Sequence, residues 1–461
     1  MSSRKLRTYQ QSAIDAWVAN GYQGILEMAT GTGKTFTASN CIELFQNEYS
    51  TSVTVVVAPS QSIASQWLEN LSSFEPVAIY KEKSWQARMK DLLPSLRLGL
   101  SQHLVLIVIQ NTACKPIFRE LVEPLLELAQ SSLFVADEAH GLGSEVFRNA
   151  LLPVYRGRLA LSATPSRWFD DEGTEFITDY FKDVVFVFGI HEALHWVDPD
   201  TGETPLCPYM YFPTFVGLDI DELEEYVSIN AAVVEKFRKG VKVRKLKSWE
   251  DDPEVQQLLD LLIERAGILK SATQKIGALR NILLSQHDIQ GCLIYCSDRN
   301  QIEEVIPVLR ELGITYRPFT GEEGTSPLKE YKGKSERDII LEEFEAGRIQ
   351  VLVAMKCLDE GIDIPSAKLG IILASTTNPR EFIQRRGRLL RRSPGKKEAK
   401  IYDLVVSPTS SLDQGDLYEH VVKKITYKEL VRVEAFSEDA INSNHASAQI
   451  LEQLINVGVG H

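Results

Sequence analysis

The sequence predicts an α/β protein of two main domains, each a parallel sheet covered by helices on both faces. Three observations carry that prediction. The chain has 461 residues, too many for one ordinary core. Two long stretches alternate short apolar runs with helix-like segments, the pattern of parallel strands joined by helical crossovers. Between those stretches the texture changes to long polar segments of helical spacing with few strand signals.

The first αβ region is expected over residues 1–215. Its strands read "GILEMA", "VTVVVAP", "HLVLIVIQ", "SLFVADEA" and "RLALSAT", with helices such as "SIASQWLENLSSF" and "PIFRELVEPLLELAQ" between them. The second is expected over 272–410, with strands "GCLIYCS", "QVLVAM", "LGIILAS" and "AKIYDLVV". Residues 216–271, acidic at the start and basic towards the end, read as a helical insertion, and 411–461 as a helical tail without recognisable chemistry. The two αβ regions look like a duplication of one fold.

Composition narrows the class. Hydrophobic residues at 44% and charged residues at 25% are those of a soluble globular protein. The N-terminal "MSSRKLRTYQ" has no apolar run behind its basic residues, so no secretory signal is expected, and "VTVVVA" and "LVLIVI" are too short to span a bilayer. The six cysteines, Cys41, Cys114, Cys207, Cys292, Cys296 and Cys357, form no CxxC pair and read as core thiols, not a metal site. Reduced thiols without an export signal point to the cytoplasm. No membrane partner is expected.

The chemistry starts at "EMATGTGKTFTA", which follows a strand and opens a helix. In that context it reads as a phosphate-binding loop spanning Thr30, Gly31, Thr32, Gly33, Lys34 and Thr35. The glycines let the backbone wrap a phosphate, Lys34 neutralises the β and γ oxygens, and Thr35 offers a hydroxyl to Mg²⁺. Met28 stands where the strict pattern has glycine. Such a loop needs an acid for its metal and a base for its water. "LFVADEAH" supplies both at a strand end: Asp137 for Mg²⁺, through water, and Glu138 for the attacking water. A third feature is "PREFIQRRGRLLRR" at 379–392, which places six arginines in a chain of formal net charge −13.

Taken in order, these segments resemble a superfamily-two helicase or translocase of the DEAH type, most similar to the XPB-like branch. The resemblance covers residues 6–405 and implies two RecA-like domains with a helical, thumb-like insertion between them. "LRTYQ" at 6–10 looks like the adenine-reading Q motif, which places Arg7 and Gln10 by the base. "ATGTGKT" has the family's own form of the phosphate loop, which accounts for Met28. "DEAH" at 137–140 includes His140, and "SATP" at 162–165 implies that Ser162 and Thr164 couple the ATP site to the nucleic-acid site. "DEGIDIP" at 359–365 puts Gly361 near the γ-phosphate and Asp363 near the ribose. "QRRGRLLR" at 384–391 makes Arg388 and Arg391 arginine fingers, with Gln384 near the γ-phosphate or its water. Arg380, Arg386 and Arg392 are left to acidic partners or solvent.

The nucleic-acid side is less specific in sequence. Ser60 and Gln61 in "APSQSIASQW", Thr112 in "IVIQNTA", and Thr320 and Gly321 in "TGEE" are expected to hold strand phosphates, which position without reading bases. The basic segment "EKFRKGVKVRKLK" in the insertion adds Lys239, Lys242 and Arg244. Two departures stand out. The Arg-Glu-Asp element of the XPB-like branch is scrambled into "SRWFDDEGTEF", around Arg167, Asp171 and Glu172. The Q motif sits at residues 6–10, so no damage-sensing domain is expected ahead of it.

The resulting expectation is a nucleic-acid-stimulated ATPase using ATP and Mg²⁺. It would act as a helicase or translocase on DNA, double-stranded or branched, as the motor of a repair or restriction system whose nuclease or other effector is a separate protein. An RNA helicase and an ATP-gated DNA clamp are the alternatives.

Overall fold

A computed structural model describes residues 5–80, 85–167, 170–240, 252–320, 323–324, 334–355, 364, 366–374, 379–408 and 416–456. For 379–382, 384, 416 and 417 it describes the backbone alone. The chain divides into two compact units, with the division between Leu206 and Cys207.

The first unit contains β1 (Gln23–Met28), β2 (Ser52–Ala58), β3 (Val77–Ala78), β4 (His103–Ile109), β5 (Ser131–Asp137), β6 (Gly157–Ser162) and β7 (Val184–Phe188). Its helices are α1 (Thr8–Ala19), α2 (Lys34–Glu48), α3 (Gln61–Asn70), α4 (Trp85–Arg97), α5 (Gln110–Ala113), α6 (Pro116–Leu128), α7 (Asp171–Phe181) and α8 (Ile190–His195). The strands form one parallel sheet in the order β3-β4-β2-β5-β6-β1-β7. Every residue of β2 and β5 is buried, as expected for central strands sandwiched between helix layers. Val53, Val55, Leu106, Phe134 and Phe181 belong to one core. All five strands expected in this region are present.

The second unit contains β8 (Tyr209–Val216), β9 (Cys292–Tyr295), β10 (Tyr316–Phe319), β11 (Val351–Ala354), β12 (Leu369–Ile372) and β13 (Ala399–Val406). Its helices are α9 (Ile220–Arg238), α10 (Pro253–Lys270), α11 (Gln274–Ser285), α12 (Arg299–Glu311), α13 (Glu336–Glu345), α14 (Pro379–Leu389), α15 (Asp416–Ser437) and α16 (Ser443–Asn456). The order β10-β11-β9-β12-β13-β8 is again parallel throughout.

One boundary differs from the expectation. The first region was expected to run to residue 215, but β8 pairs with β13 along its whole length, from Tyr209↔Ala399 to Val216↔Val406. That strand therefore completes the second sheet. Its half-buried alternation and its Pro213 are those of an edge strand, and such a strand lacks the apolar run that marks the central ones. The tail covers this edge. Asn442 accepts the Tyr211 N–H and donates to the Tyr211 carbonyl, both at 2.8 Å, so one amide mimics a neighbouring strand.

Residues 220–238 and 253–270 are helical. Tyr226, Val233 and Leu258 of these helices share a core cluster with Val406 and with Val421 and Ile425 of α15. Cys41, Cys207, Cys292 and Cys296 are buried and Cys114 is half-buried, and none of the five is in a disulfide among the described residues; Cys357 lies outside the described residues. Among the described residues, no helix is long and apolar enough to cross a membrane.

Candidate nucleotide site

In an open parallel sheet, ligands gather beyond the carboxyl ends of the strands. The first unit places its chemistry there. The glycine loop follows β1, Ser60 follows β2, Asp137 closes β5 and Ser162 closes β6.

The loop turns on Gly31 and Gly33, whose φ values of +89° and +87° lie in the left-handed region. A Cβ on Gly33 would also stand 2.6 Å from Gln10 Nε2. Helix α1 braces the loop from behind. Tyr9 donates its hydroxyl to the Thr32 carbonyl at 2.7 Å, and Gln10 Nε2 donates to the same oxygen at 3.2 Å. Gln10 in turn accepts the Arg7 N–H at 3.0 Å. Tyr9 lies flat on Phe188, with centroids 4.0 Å apart, and Arg7 pairs with Asp198 at 3.0 Å. Gln10 thus touches the phosphate loop directly, while the Arg7 guanidinium is held by a carboxylate that sequence reasoning did not single out.

Lys34 opens α2, is buried, and donates to the Met28 carbonyl at 3.2 Å. Its Nζ lies 3.8 Å from Glu138 Oε1. Asp137 is fixed at both oxygens: Trp67 Nε1 donates to Oδ2 at 2.8 Å, and the Glu138 N–H donates to Oδ1 at 3.0 Å. Burial, with the neighbouring Glu138, pushes the Asp137 carboxyl up to about 6, against the pull of Lys34 and of the Trp67 hydrogen bond. Glu138 sits at φ +47°, a conformation uncommon for a residue with a side chain and one that clusters at functional sites. His140 Nδ1 lies 3.4 Å from Glu138 Oε2 and 3.5 Å from Ser162 Oγ, and Ser162 Oγ accepts the Thr164 N–H at 3.2 Å. A polar chain therefore runs from the acid pair to the end of β6. Arg167 donates to the His140 carbonyl and pairs with Asp170 at 2.6 Å. Glu172 of the same scrambled segment pairs with Arg148 instead.

The arrangement fits a nucleoside polyphosphate with a divalent cation. The left-handed glycines and the first turn of α2 present backbone N–H groups that no preceding turn can satisfy. Thr30 Oγ1 and Thr164 Oγ1 are buried without a hydrogen-bond partner among the described residues. The Thr35 hydroxyl and Asp137 carboxylate are oxygen donors of the kind that hard cations such as Mg²⁺ take.

The remaining site residues are scattered. Ser60 caps α3, accepting the Ile63 N–H at 3.4 Å, and Gln61 is exposed on the first turn. Thr112 is buried in α5. Thr320 donates its N–H to Glu323 at 2.8 Å, so a carboxylate of its own loop occupies that donor. Lys239 pairs with Glu235 at 2.7 Å, and its neighbour Lys236 reaches Glu254 of α10 at 2.5 Å. Gly321, Lys242, Arg244, Gly361 and Asp363 lie outside the described residues, as does the side chain of Gln384.

Helix α14 resolves part of the arginine crowding. Arg385 is buried and donates to the Ala374 carbonyl at 2.8 Å. Arg386, expected to meet acids or solvent, is buried against the Tyr209 and Phe436 rings, with Asp439 at 3.9 Å. The acidic partner is there; solvent is not. Arg388 is buried too, and Arg391 is half-buried.

Comparison with known proteins places these motifs inside two family profiles. The first, described as "Type III restriction enzyme, res subunit", matches residues 3–167. The second, "Helicase conserved C-terminal domain", matches residues 274–393. Over 417 residues the chain is 26% identical to the DNA 3'-5' translocase XPB2 of Sulfurisphaera tokodaii, covering 88% of this chain and 82% of that one. It is 23% identical to the DNA 3'-5' helicase XPB of Mycobacterium tuberculosis, covering 87% of this chain and 60% of that one. Two haloarchaeal relatives named Rad25 are spanned over about half their length, 50% and 53%. Among solved structures, the ATP-dependent Type ISP restriction-modification enzyme LlaBIII bound to DNA aligns with a TM-score of 0.57 at 18% identity, over 94% of this chain and 30% of that one, a likeness of fold.

Proposed function

Because this chain belongs to the superfamily-two helicases, in their XPB-like branch, we propose that it is an ATP-driven motor that moves along or opens DNA. The observation that carries this reading is the convergence of Lys34, Asp137 and Glu138 at the carboxyl edge of one sheet, beside a loop with two left-handed glycines.

The roles follow from the chemistry of each group. The loop N–H groups and Lys34 bind and orient the β and γ phosphates. Thr35 and Asp137 would hold Mg²⁺, which would supply positive charge to offset that of the phosphates. Glu138, whose carboxylate lies between the Lys34 ammonium and the His140 ring, takes the proton from the attacking water. Arg388 and Arg391 of the second unit stabilise the charge that develops on the γ-phosphoryl oxygens, where a planar fork matches phosphate geometry better than a lysine does. His140, Ser162 and Thr164 connect the base to the strand-binding side. Arg7 and Gln10 are assigned to the adenine, and Gly361 and Asp363, which lie outside the described residues, to the γ-phosphate and ribose.

We assign the two αβ units the motor; where cleavage or modification is the biological output, an effector outside these units would supply it. DNA is preferred to RNA because the relatives that cover most of the chain are named for DNA 3'-5' translocation and unwinding. Displacement of a third strand from a DNA triplex tests the motor against an ATP-gated clamp. ATP-dependent displacement is expected. Hydrolysis without displacement would favour the clamp.

A further inference from the structure

Trp67 is 1% exposed and belongs to α3, the helix that follows β2. An indole N–H is a donor only, and a buried one ordinarily finds whatever acceptor is near. Trp17 does this, donating to the backbone carbonyl of Arg158 at 3.1 Å. Trp67 instead donates to Oδ2 of Asp137 at 2.8 Å, the carboxylate assigned to the cation. With Oδ1 held by the Glu138 N–H at 3.0 Å, the plane of the carboxylate is set from two sides, one of them seventy positions away in sequence.

The other end of α3 faces different chemistry. Its cap, Ser60, and its first residue, Gln61, are the groups assigned to strand phosphate. Trp67 lies seven positions beyond Ser60, about two helical turns or roughly 10 Å. One helix thus carries both the groups assigned to strand phosphate and the indole that holds Asp137.

We propose that Trp67 is a positioning residue that holds Asp137 for its cation and carries strand engagement at the start of α3 to the ATP site; this rests on the motor reading above. Groups that orient metal ligands from behind typically change metal affinity or activity by roughly 10–100-fold when lost.

The test uses the full chain with Trp67→Phe, and with Trp67 replaced by benzothienylalanine, which keeps the ring shape and lacks the donor. Mn²⁺ affinity is read by electron paramagnetic resonance in the presence of a non-hydrolysable ATP analogue. The second readout is the ratio of duplex-DNA-stimulated to basal ATP turnover, and melting temperature reports folding. Both replacements should lower Mn²⁺ affinity roughly tenfold and shrink the stimulation ratio, with the benzothienyl protein melting as the wild type does. Wild-type Mn²⁺ affinity in the folded benzothienyl protein overturns the proposal. So does an unchanged stimulation ratio alongside weakened Mn²⁺, which removes the link through α3. Asp137→Asn separates the levels: if it too leaves Mn²⁺ binding intact, the metal assignment itself fails, not the role of Trp67.

Discussion

Lys34 Nζ and Glu138 Oε1 lie 3.8 Å apart, and both side chains are largely buried. The cation assigned to the phosphates and the base assigned to the water are thus one ion pair. Each balances the other in a place where an unpaired charge is costly.

The pair predicts two different defects. Lys34→Ala should lose both nucleotide affinity and turnover, since the phosphates lose their cation and two carboxylates are left facing each other. Glu138→Gln should bind ATP and metal yet turn over more slowly by roughly 10²–10⁴-fold, and should hold DNA more tightly when ATP is present. Nucleotide binding and single-turnover hydrolysis on both variants check this. Equal loss of binding in the two variants would remove the base assignment.

The arginines of α14 should divide into two groups. Arg388→Ala or Arg391→Ala should lower the turnover number by roughly 10³-fold or more with a modest change in ATP affinity, the sign of transition-state stabilisation. Arg386→Ala should instead cost stability, about 2–4 kcal/mol, because it vacates a site between Tyr209, Phe436 and Asp439. Arg392→Ala should do little to either. Steady-state kinetics and melting curves on the four proteins separate these outcomes.

That division marks where sequence reading stopped. The central strands were legible because "VTVVVA" and "SLFVAD" are continuous apolar runs buried on both faces. Strands β8 and β10 were not, because edge strands are half-exposed and these carry Pro213 and Pro318. In the site, Gly31, Gly33 and Lys34 are neighbours in sequence, as are Asp137 and Glu138, and each set follows the end of a strand, so each could be read directly. Trp67 could not, since nothing local ties an indole in α3 to a carboxylate at the end of β5. Nor does "QRRGR" distinguish an arginine stacked on Tyr209 from one that reaches a phosphate; only the position of β8 in the second sheet does so.

Lys275 predicts a pH dependence of stability. Its ammonium is buried and donates to the carbonyls of Leu269, Lys270 and Leu373, tying the end of α10 to the loop after β12. Burial pushes its pKa down to about 8. In the unfolded chain a lysine keeps its proton to about 10.4. Between these values the unfolded chain binds more protons, so this group makes stability rise with pH from about 8 to 10.4 and contributes no slope below. Lys275→Met should lower stability by about 2–4 kcal/mol at neutral pH, removing the ammonium from the Leu269 and Leu373 carbonyls, while Lys270 keeps Gln301 as a donor. Its deficit relative to wild type should widen across that alkaline window. Calorimetry over a pH series checks the sign; a narrowing gap would contradict it.

The basic segment that begins in the last turn of α9 predicts a salt effect. Lys236 and Lys239 pair with Glu254 and Glu235, so part of its charge is already balanced. Replacing Lys239, Lys242 and Arg244 by glutamate should leave basal ATP turnover intact. DNA affinity should fall almost uniformly across sequences, and its salt dependence should become shallower, as expected when fewer counterions are released. Binding measured across a salt series decides; identical affinity and slope would direct the segment to a protein partner instead.

Whether Lys34, Asp137 and Glu138 build a DNA-driven ATPase is decided by the ATP turnover of the full chain with duplex DNA, branched DNA, single-stranded DNA and RNA, with Glu138→Gln as the control. Low basal turnover is expected, raised by duplex or branched DNA well above the level reached with RNA, with near silence from Glu138→Gln on every nucleic acid. Stimulation by RNA above that by DNA, or turnover in Glu138→Gln equal to wild type, would contradict it.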